Sequence, residues 1–238
     1  MLLSGPTMHA LMSMLSMIIV CTGTVAAPPV GNDRETCFKE EGNVAIAACT
    51  RLIESGEFAQ NDLAAIYYNR GVTLYDQGEY DRAIEDYNQA LRLKPNFAQA
   101  VFSRGNSYDA KKLYDRAIQD YSRAIKLNPS YAKAFNNRGF VWDEVRDYER
   151  AIQDYDRAIA LNPAYAQAFN NRGVAHWNKG EYDRAIEDYD QAIKLDPTYA
   201  EALYNRGMAR LKKGETREGT ADVAAAKAMK RGVGDSSD

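Results

Sequence analysis

The stretch Tyr67–Pro95, YYNRGVTLYDQGEYDRAIEDYNQALRLKP, decides the fold. In its second half Tyr80, Ala83, Ile84, Tyr87, Ala90 and Leu91 recur at spacings of three and four, which places them on one stripe of an α-helix. Asp81, Arg82, Glu85 and Gln89 fall on the opposite side, where they can stay in water. Pro95 stops that helix, because it has no N–H to donate and disfavours helical geometry in the residue before it. The first half, Asp62 to Gln77, also reads as a helix and closes at Gly78, the residue type that ends helices in a left-handed conformation. The stretch therefore predicts a helical hairpin with a short turn around Gly78-Glu79.

Outward from this hairpin the same pattern returns with a step of 34 residues. Arg70-Gly71 reappears as Arg104-Gly105, Arg138-Gly139, Arg172-Gly173 and Arg206-Gly207, and Pro95 as Pro129, Pro163 and Pro197. A fixed period of this size marks a stacked repeat protein. One hairpin cannot bury both of its apolar faces, so neighbours must stack, and stability becomes a sum of nearest-neighbour terms. Gly71 and Ala83 sit where the two helices must nearly touch. Tyr67, Tyr87 and the Leu and Ile positions fill the remaining volume.

Counted from Ala64 as position 1, the unit has an aromatic at 4 (Tyr67), Gly at 8 (Gly71), Ala at 20 (Ala83), an aromatic at 24 (Tyr87), Ala at 27 (Ala90) and Pro at 32 (Pro95). This register resembles the tetratricopeptide repeat (TPR). The resemblance implies an all-α fold, an α-solenoid wound as a right-handed superhelix of TPR hairpins. It covers residues 64–231 as five units, 64–97, 98–131, 132–165, 166–199 and 200–231. Before them, residues 34–62 form an atypical hairpin and its connector. The fifth unit departs in its second helix, with Thr216, Gly219 and Val223 where the others have an aromatic, Ala and an aromatic. Every unit also departs at position 7, where the family's Leu is Arg. The Asp at position 23 (Asp86, Asp120, Asp154, Asp188, Asp222) recurs as faithfully. A repeated, partly buried cation needs a counter-charge, so the two are read as a structural pair.

Residues 1–27 hold no Lys, Arg, Asp or Glu, and Ala10–Val20 is apolar, followed by the small residues Val25-Ala26-Ala27. That reads as a secretory signal peptide cut after Ala27. A retained membrane anchor is the alternative, although the run is short of the ~20 apolar residues that a span needs; lipidation at Cys21 is a third reading. Residues 28–33 read as a linker and 232–238 as a disordered tail. After export the chain would keep Cys37 and Cys49, six residues either side of Asn43 in the turn Gly42-Asn43. An antiparallel hairpin would place them opposite each other, so a disulfide is expected, contributing on the order of 3 kcal/mol. The general look of the repeats also resembles exported TPR proteins of proteobacteria, which implies a periplasmic or secreted location.

No catalytic constellation emerges. His176 takes a position held elsewhere by Leu74, Tyr108 and Trp142 and reads as a packing residue. No P-loop, GxSxG, HExxH or CxxC is present. The chain carries 30 basic and 33 acidic residues, a net charge of −3, which gives no electrostatic footprint for nucleic acid. The expectation is a non-enzymatic interaction protein with no metal, no cofactor and no small-molecule substrate, whose partner is a protein or peptide.

In TPR arrays the first helices line the concave side. Position 6 there reads Asn69, Ser103, Asn137, Asn171 and Asn205, a ladder of side-chain hydrogen-bonding groups able to pair with the backbone of an extended peptide. It resembles the asparagine ladder of the O-linked GlcNAc transferases. The alternative is that these residues bond to neighbouring helices and set the repeat spacing. Tyr68, Phe102 and Tyr204 at position 5, with Tyr75, Phe140 and Trp177 further along the first helices, are the aromatic candidates beside them, some of which must be core, and Asp76, Asp109, Asp143 and Glu144 form an acidic floor. A basic or neutral segment suits such a groove better than an acidic tail. Position 5 lacks the Lys that TPR domains use to clamp a C-terminal carboxylate. A second reading is self-association through a terminal stacking face; a third is a membrane-tethered assembly factor.

Overall fold

The computed structural model describes residues 30–234. Among them the chain forms twelve helices and no strand. The expected signal peptide at 1–27, with Cys21, and the last residues of the expected tail lie outside the described residues. The helices are α1 (Val30–Lys39), α2 (Gly42–Ser55), α3 (Gln60–Asp76), α4 (Tyr80–Leu93), α5 (Ala98–Ala110), α6 (Tyr114–Leu127), α7 (Ala132–Glu144), α8 (Tyr148–Leu161), α9 (Ala166–Asn178), α10 (Tyr182–Leu195), α11 (Ala200–Lys213) and α12 (Thr216–Gly234). Helix α1 thus begins inside the stretch read as a linker, and α12 runs on to Gly234, into the stretch read as a tail.

Each helix packs on its hairpin partner and on the next element in the chain, giving a helical solenoid. First helices also touch the first helices of neighbouring units (α3 with α5, α5 with α7, α7 with α9, α9 with α11), whereas no two second helices meet. The first helices therefore line the inner, concave side.

The close approach within a hairpin is set by glycine against tyrosine. A Cβ on Gly71, Gly105, Gly139 or Gly173 would lie 2.6–2.9 Å from the ring of Tyr87, Tyr121, Tyr155 or Tyr189. Those four rings are almost wholly buried. In the fifth unit Val223 replaces the ring and Gly219 the alanine, and a Cβ on Gly219 would come within 2.8 Å of the Gly207 carbonyl oxygen. The unit read as eroded is a tighter glycine-on-glycine contact.

The Arg–Asp pairs are present in all five units. In each, Nε and Nη2 of Arg70, Arg104, Arg138, Arg172 or Arg206 donate to the two carboxylate oxygens of Asp86, Asp120, Asp154, Asp188 or Asp222, at 2.6–3.0 Å. The remaining Nη1 reaches back to the preceding hairpin, donating to Thr50, Asn88, Ser122, Asp156 and Asp190 in turn. One guanidinium thus ties three helices, and its planar fork is what permits this. Thr50 answers Arg70 as Asn88 answers Arg104, which shows the N-terminal hairpin stacked in register. Its Cys49 stands where Tyr87 stands in the next unit and is joined to Cys37 by a disulfide, Cα to Cα 4.9 Å. Its own ion pair is reversed between the helices, with Arg51 on α2 gripping Asp33 on α1.

Helix α12 departs from the pattern of the earlier second helices. Ile118, Ile152 and Ile186 pack against Val141, Ala175 and Ala209 of the following unit. The fifth unit has exposed Thr220 at that position, exposed Lys227 where the others carry Leu91, Ile125, Ile159 and Ile193, and Ala224 where they carry an acceptor for the next guanidinium. At these three positions α12 lacks the apolar and hydrogen-bonding side chains with which the earlier second helices hold the next hairpin.

Candidate partner-binding groove

Two cavities open along the inner helices of units 2 to 5. The first, about 360 Å³, is lined by Asp109, Asn136, Asn137, Phe140, Gln167, Asn171, Tyr199 and Glu201. The second, about 270 Å³, is lined by Val174, Trp177, Asn178, Tyr189, Tyr204, Asn205 and Met208. Helices α7, α9 and α11 supply most of both, because the 34-residue step returns the same helix face to the groove. Of the residues singled out in the sequence, Asp109, Asn137, Phe140 and Asn171 meet at the first cavity, and Trp177, Tyr204 and Asn205 at the second; Asp76, Asp143 and Glu144 of the expected acidic floor line neither.

Tyr68 and Phe102 are placed otherwise. Both are half-buried, with ring centroids 4.9 Å from Phe97 and 4.8 Å from Tyr131, in clusters that join successive hairpins. Asn69 and Ser103 are half-buried on α3 and α5 and line neither cavity.

The asparagines are tied between hairpins. Nδ2 of Asn137 donates to Asn106 Oδ1 (3.0 Å), Asn171 to Asn136 (3.1 Å) and Asn205 to Asn170 (3.1 Å). For their amino groups the spacing role holds, with Asn106, Asn136 and Asn170 as partners that sequence reasoning had not paired with them. The signal was partial: Asn136 and Asn170 recur at position 5, whereas Asn106 is the one carboxamide at position 9. Each NH₂ retains a second hydrogen, and the Oδ1 atoms of Asn171 and Asn205 accept no bond among the described residues, so the groove wall keeps hydrogen-bonding capacity.

The charged residues lining the first cavity, Asp109 and Glu201, are both acidic. Burial, with Glu144 nearby, pushes the Asp109 carboxyl up to about 6. Burial also raises Asp143, opposed by the hydrogen bond it accepts from Asn178. Asp109 and Glu201 take part in no ion pair or side-chain hydrogen bond among the described residues, unlike the five Arg-held aspartates. Their absence of a counter-ion is invisible in a sequence where each acid reads alike.

His176 is buried, with Nδ1 2.7 Å from Glu181 Oε2. It packs as expected and also anchors the following turn: His176, then Lys179 and Arg184, hold the Glu181 carboxyl down to about 2. Among the described residues no three His, Cys, Asp or Glu side chains gather closely enough to hold a metal ion, and no helix is long and apolar enough to cross a membrane.

A solenoid of helical hairpins with an open inner wall defines a class of proteins built to present surface. Family models for the tetratricopeptide repeat match residues 64–97 and, as "TPR repeat", residues 105–142, 147–180 and 178–214. The chain belongs to the tetratricopeptide repeat family and is a protein-interaction scaffold. Among solved structures it is similar to MamA (28% identity, TM-score 0.63, covering 69% of this chain and 96% of MamA). It is also similar to YrrB, described as a TPR protein with an unusual peptide-binding site (26% identity, TM-score 0.61, covering 78% and 93%). A 44-residue segment is 36% identical to the Photosystem I assembly protein Ycf3 of Acaryochloris marina (strain MBIC 11017); it covers 18% of this chain and only 26% of that protein.

Proposed function

We propose that this chain is an exported, non-enzymatic adaptor that holds an extended segment of another cell-envelope protein in the groove of its first helices. The observation carrying this reading is the pair of cavities on the inner wall, where Phe140 and Tyr204 stand 41% and 39% exposed beside unspent carboxamide oxygens. Exposed aromatics in a concave site are the anchors that dominate most interfaces. The YrrB likeness supports a peptide as the ligand. Export rests on the sequence of residues 1–27 and on the Cys37–Cys49 disulfide, a bond that persists in oxidising compartments. The second reading, assembly through the terminal stacking face, draws no support from Thr220 and Lys227.

The test is affinity purification from the native envelope fraction followed by mass spectrometry, with Phe140→Ala/Tyr204→Ala in parallel. Both side chains are exposed, so the variant should keep its circular dichroism and melting temperature. It should lose the partner captured by the wild type. Equal capture would remove the groove as the binding site, and an N-terminal sequence starting before Pro28 would remove cleavage after Ala27.

A further inference from the structure

The two cavities differ in chemistry, and that difference specifies what could fill them. In the first, the half-buried carboxylate of Asp109 and that of Glu201 face the same space, and no cation lines it. Each of the five units answers the aspartate buried between its helices with a guanidinium, as Arg138 answers Asp154, and Asp143, which repeats Asp109 in the next unit, accepts a hydrogen bond from Asn178; Asp109 has neither among the described residues. Leaving a half-buried carboxylate unanswered costs free energy that a bound cation would recover. Asn136, Asn137, Gln167 and Asn171 add neutral hydrogen-bonding groups, and the ring of Phe140 gives the alkyl stem of a long side chain an apolar surface. The second cavity is walled instead by Val174, Trp177, Tyr204 and Met208. Both cavities sit at or near the lower bound of about 300 Å³ for small-molecule pockets, which suits single side chains better than a whole cofactor. Among the described residues the carboxylate pair also has no third His, Cys, Asp or Glu close enough to complete a metal site.

We propose that the groove reads a two-part motif in an extended protein segment: a Lys or Arg seated between Asp109 and Glu201, and a large apolar residue in the pocket of Trp177, Tyr204 and Met208. This rests on the groove being the binding site and names the kind of segment it takes. Asn171 and Val174, successive inward residues of α9, stand one in each cavity, so the two side chains lie close together along the segment. The acidic subsite also acts against wrong partners, since an acidic residue there meets two like charges in a partly desolvated site.

The experiment is an array of twelve-residue Gly/Ser peptides at pH 7.5. One position carries Lys, Arg, Ala or Glu, and Trp, Leu or Ala follows at a separation of one to four residues. Binding is read by fluorescence anisotropy. The Lys and Arg peptides with Trp or Leu should bind about tenfold more tightly than their Glu counterparts. Asp109→Asn/Glu201→Gln should erase that preference while keeping the Trp and Leu requirement, with an unchanged circular dichroism spectrum. Equal binding of Lys and Glu peptides, or undiminished preference in the double variant, overturns the proposal; if that binding is still lost in Phe140→Ala/Tyr204→Ala, the groove reading survives. No binding to any peptide at about 1 mM overturns the two-part motif; the groove reading then stands or falls by the envelope capture.

Discussion

Arg138 holds Asp154 through two parallel hydrogen bonds, 2.8 and 2.7 Å, across the two helices of one hairpin. Asp154 is 5% exposed. Removing one member of such a pair strands the other charge, so Asp154→Ala should destabilise the chain by about 3 kcal/mol in urea denaturation. Arg138→Met/Asp154→Leu should recover much of that loss, because the cost lies in the orphaned charge. A single variant within about 0.5 kcal/mol of wild type would mean the pair is incidental.

Tyr155 tests a smaller flaw. Its hydroxyl is buried and finds no partner among the described residues, whereas Tyr121 donates to Asn106 at 2.8 Å. The cause is one residue: the position of Asn106 is filled in the next unit by Phe140, which cannot accept. Tyr155→Phe should therefore be neutral or stabilising by up to about 1 kcal/mol, and Tyr121→Phe destabilising by about 1 kcal/mol. Thermal melts of the two variants side by side decide it.

The turns inside the hairpins need a left-handed residue. Gly78, Gly180 and Gly214 supply it with φ of 77°, 80° and 87°, while Lys112 and Arg146 take the same place with φ of 57° and 64°. A side chain there costs roughly 1–2 kcal/mol, partly offset by the greater unfolded-state freedom of glycine. Lys112→Gly and Arg146→Gly should each raise stability by about 0.5–1 kcal/mol. Gly180→Ala should lower it. Denaturant midpoints at constant slope are the readout.

Asp109 makes stability depend on pH in a definite direction. Its carboxyl sits at about 6 in the fold, above the ordinary value of 3.8, so the folded state binds the proton more tightly than the unfolded one. The contribution is fully present below 3.8 and is lost as pH rises through about 6. Asp109→Asn should thus raise the melting temperature at pH 8, by an amount equivalent to about 1 kcal/mol after solvent screening, and change little at pH 4. An equal effect at both pH values would show that the carboxylate bears no penalty.

Most of the scaffold could be read from residues alone, since Arg70 and Asp86 recur at a fixed spacing; Gly71 was read against Ala83, and the side chain it meets is the ring of Tyr87. The two ends of the described chain were harder. Val30-Gly31-Asn32-Asp33 carries turn-forming residues yet opens α1, held by the bidentate contact between Asp33 and Arg51 across 18 positions. The groove was half legible. Phe140 and Trp177 face it as their positions imply, but Tyr68 and Phe102 are drawn into contacts with Phe97 and Tyr131 of the interrepeat turns. Period alone assigns a residue to a helix face; which neighbour claims it depends on what the following turn contains. Glu201 escaped notice because it belongs to the fifth unit while Asp109 belongs to the second.

The third nitrogen of each repeated arginine has a mechanical consequence. Since Nη1 of Arg172 is lodged on Asp156 of the hairpin before, peeling away one hairpin also strips an anchor from the next. Fraying at either tip is then felt one step inward, and the rod should open in large blocks instead of shedding hairpins singly. Native-state amide exchange, with shared opening energies across neighbouring hairpins, would display that coupling directly.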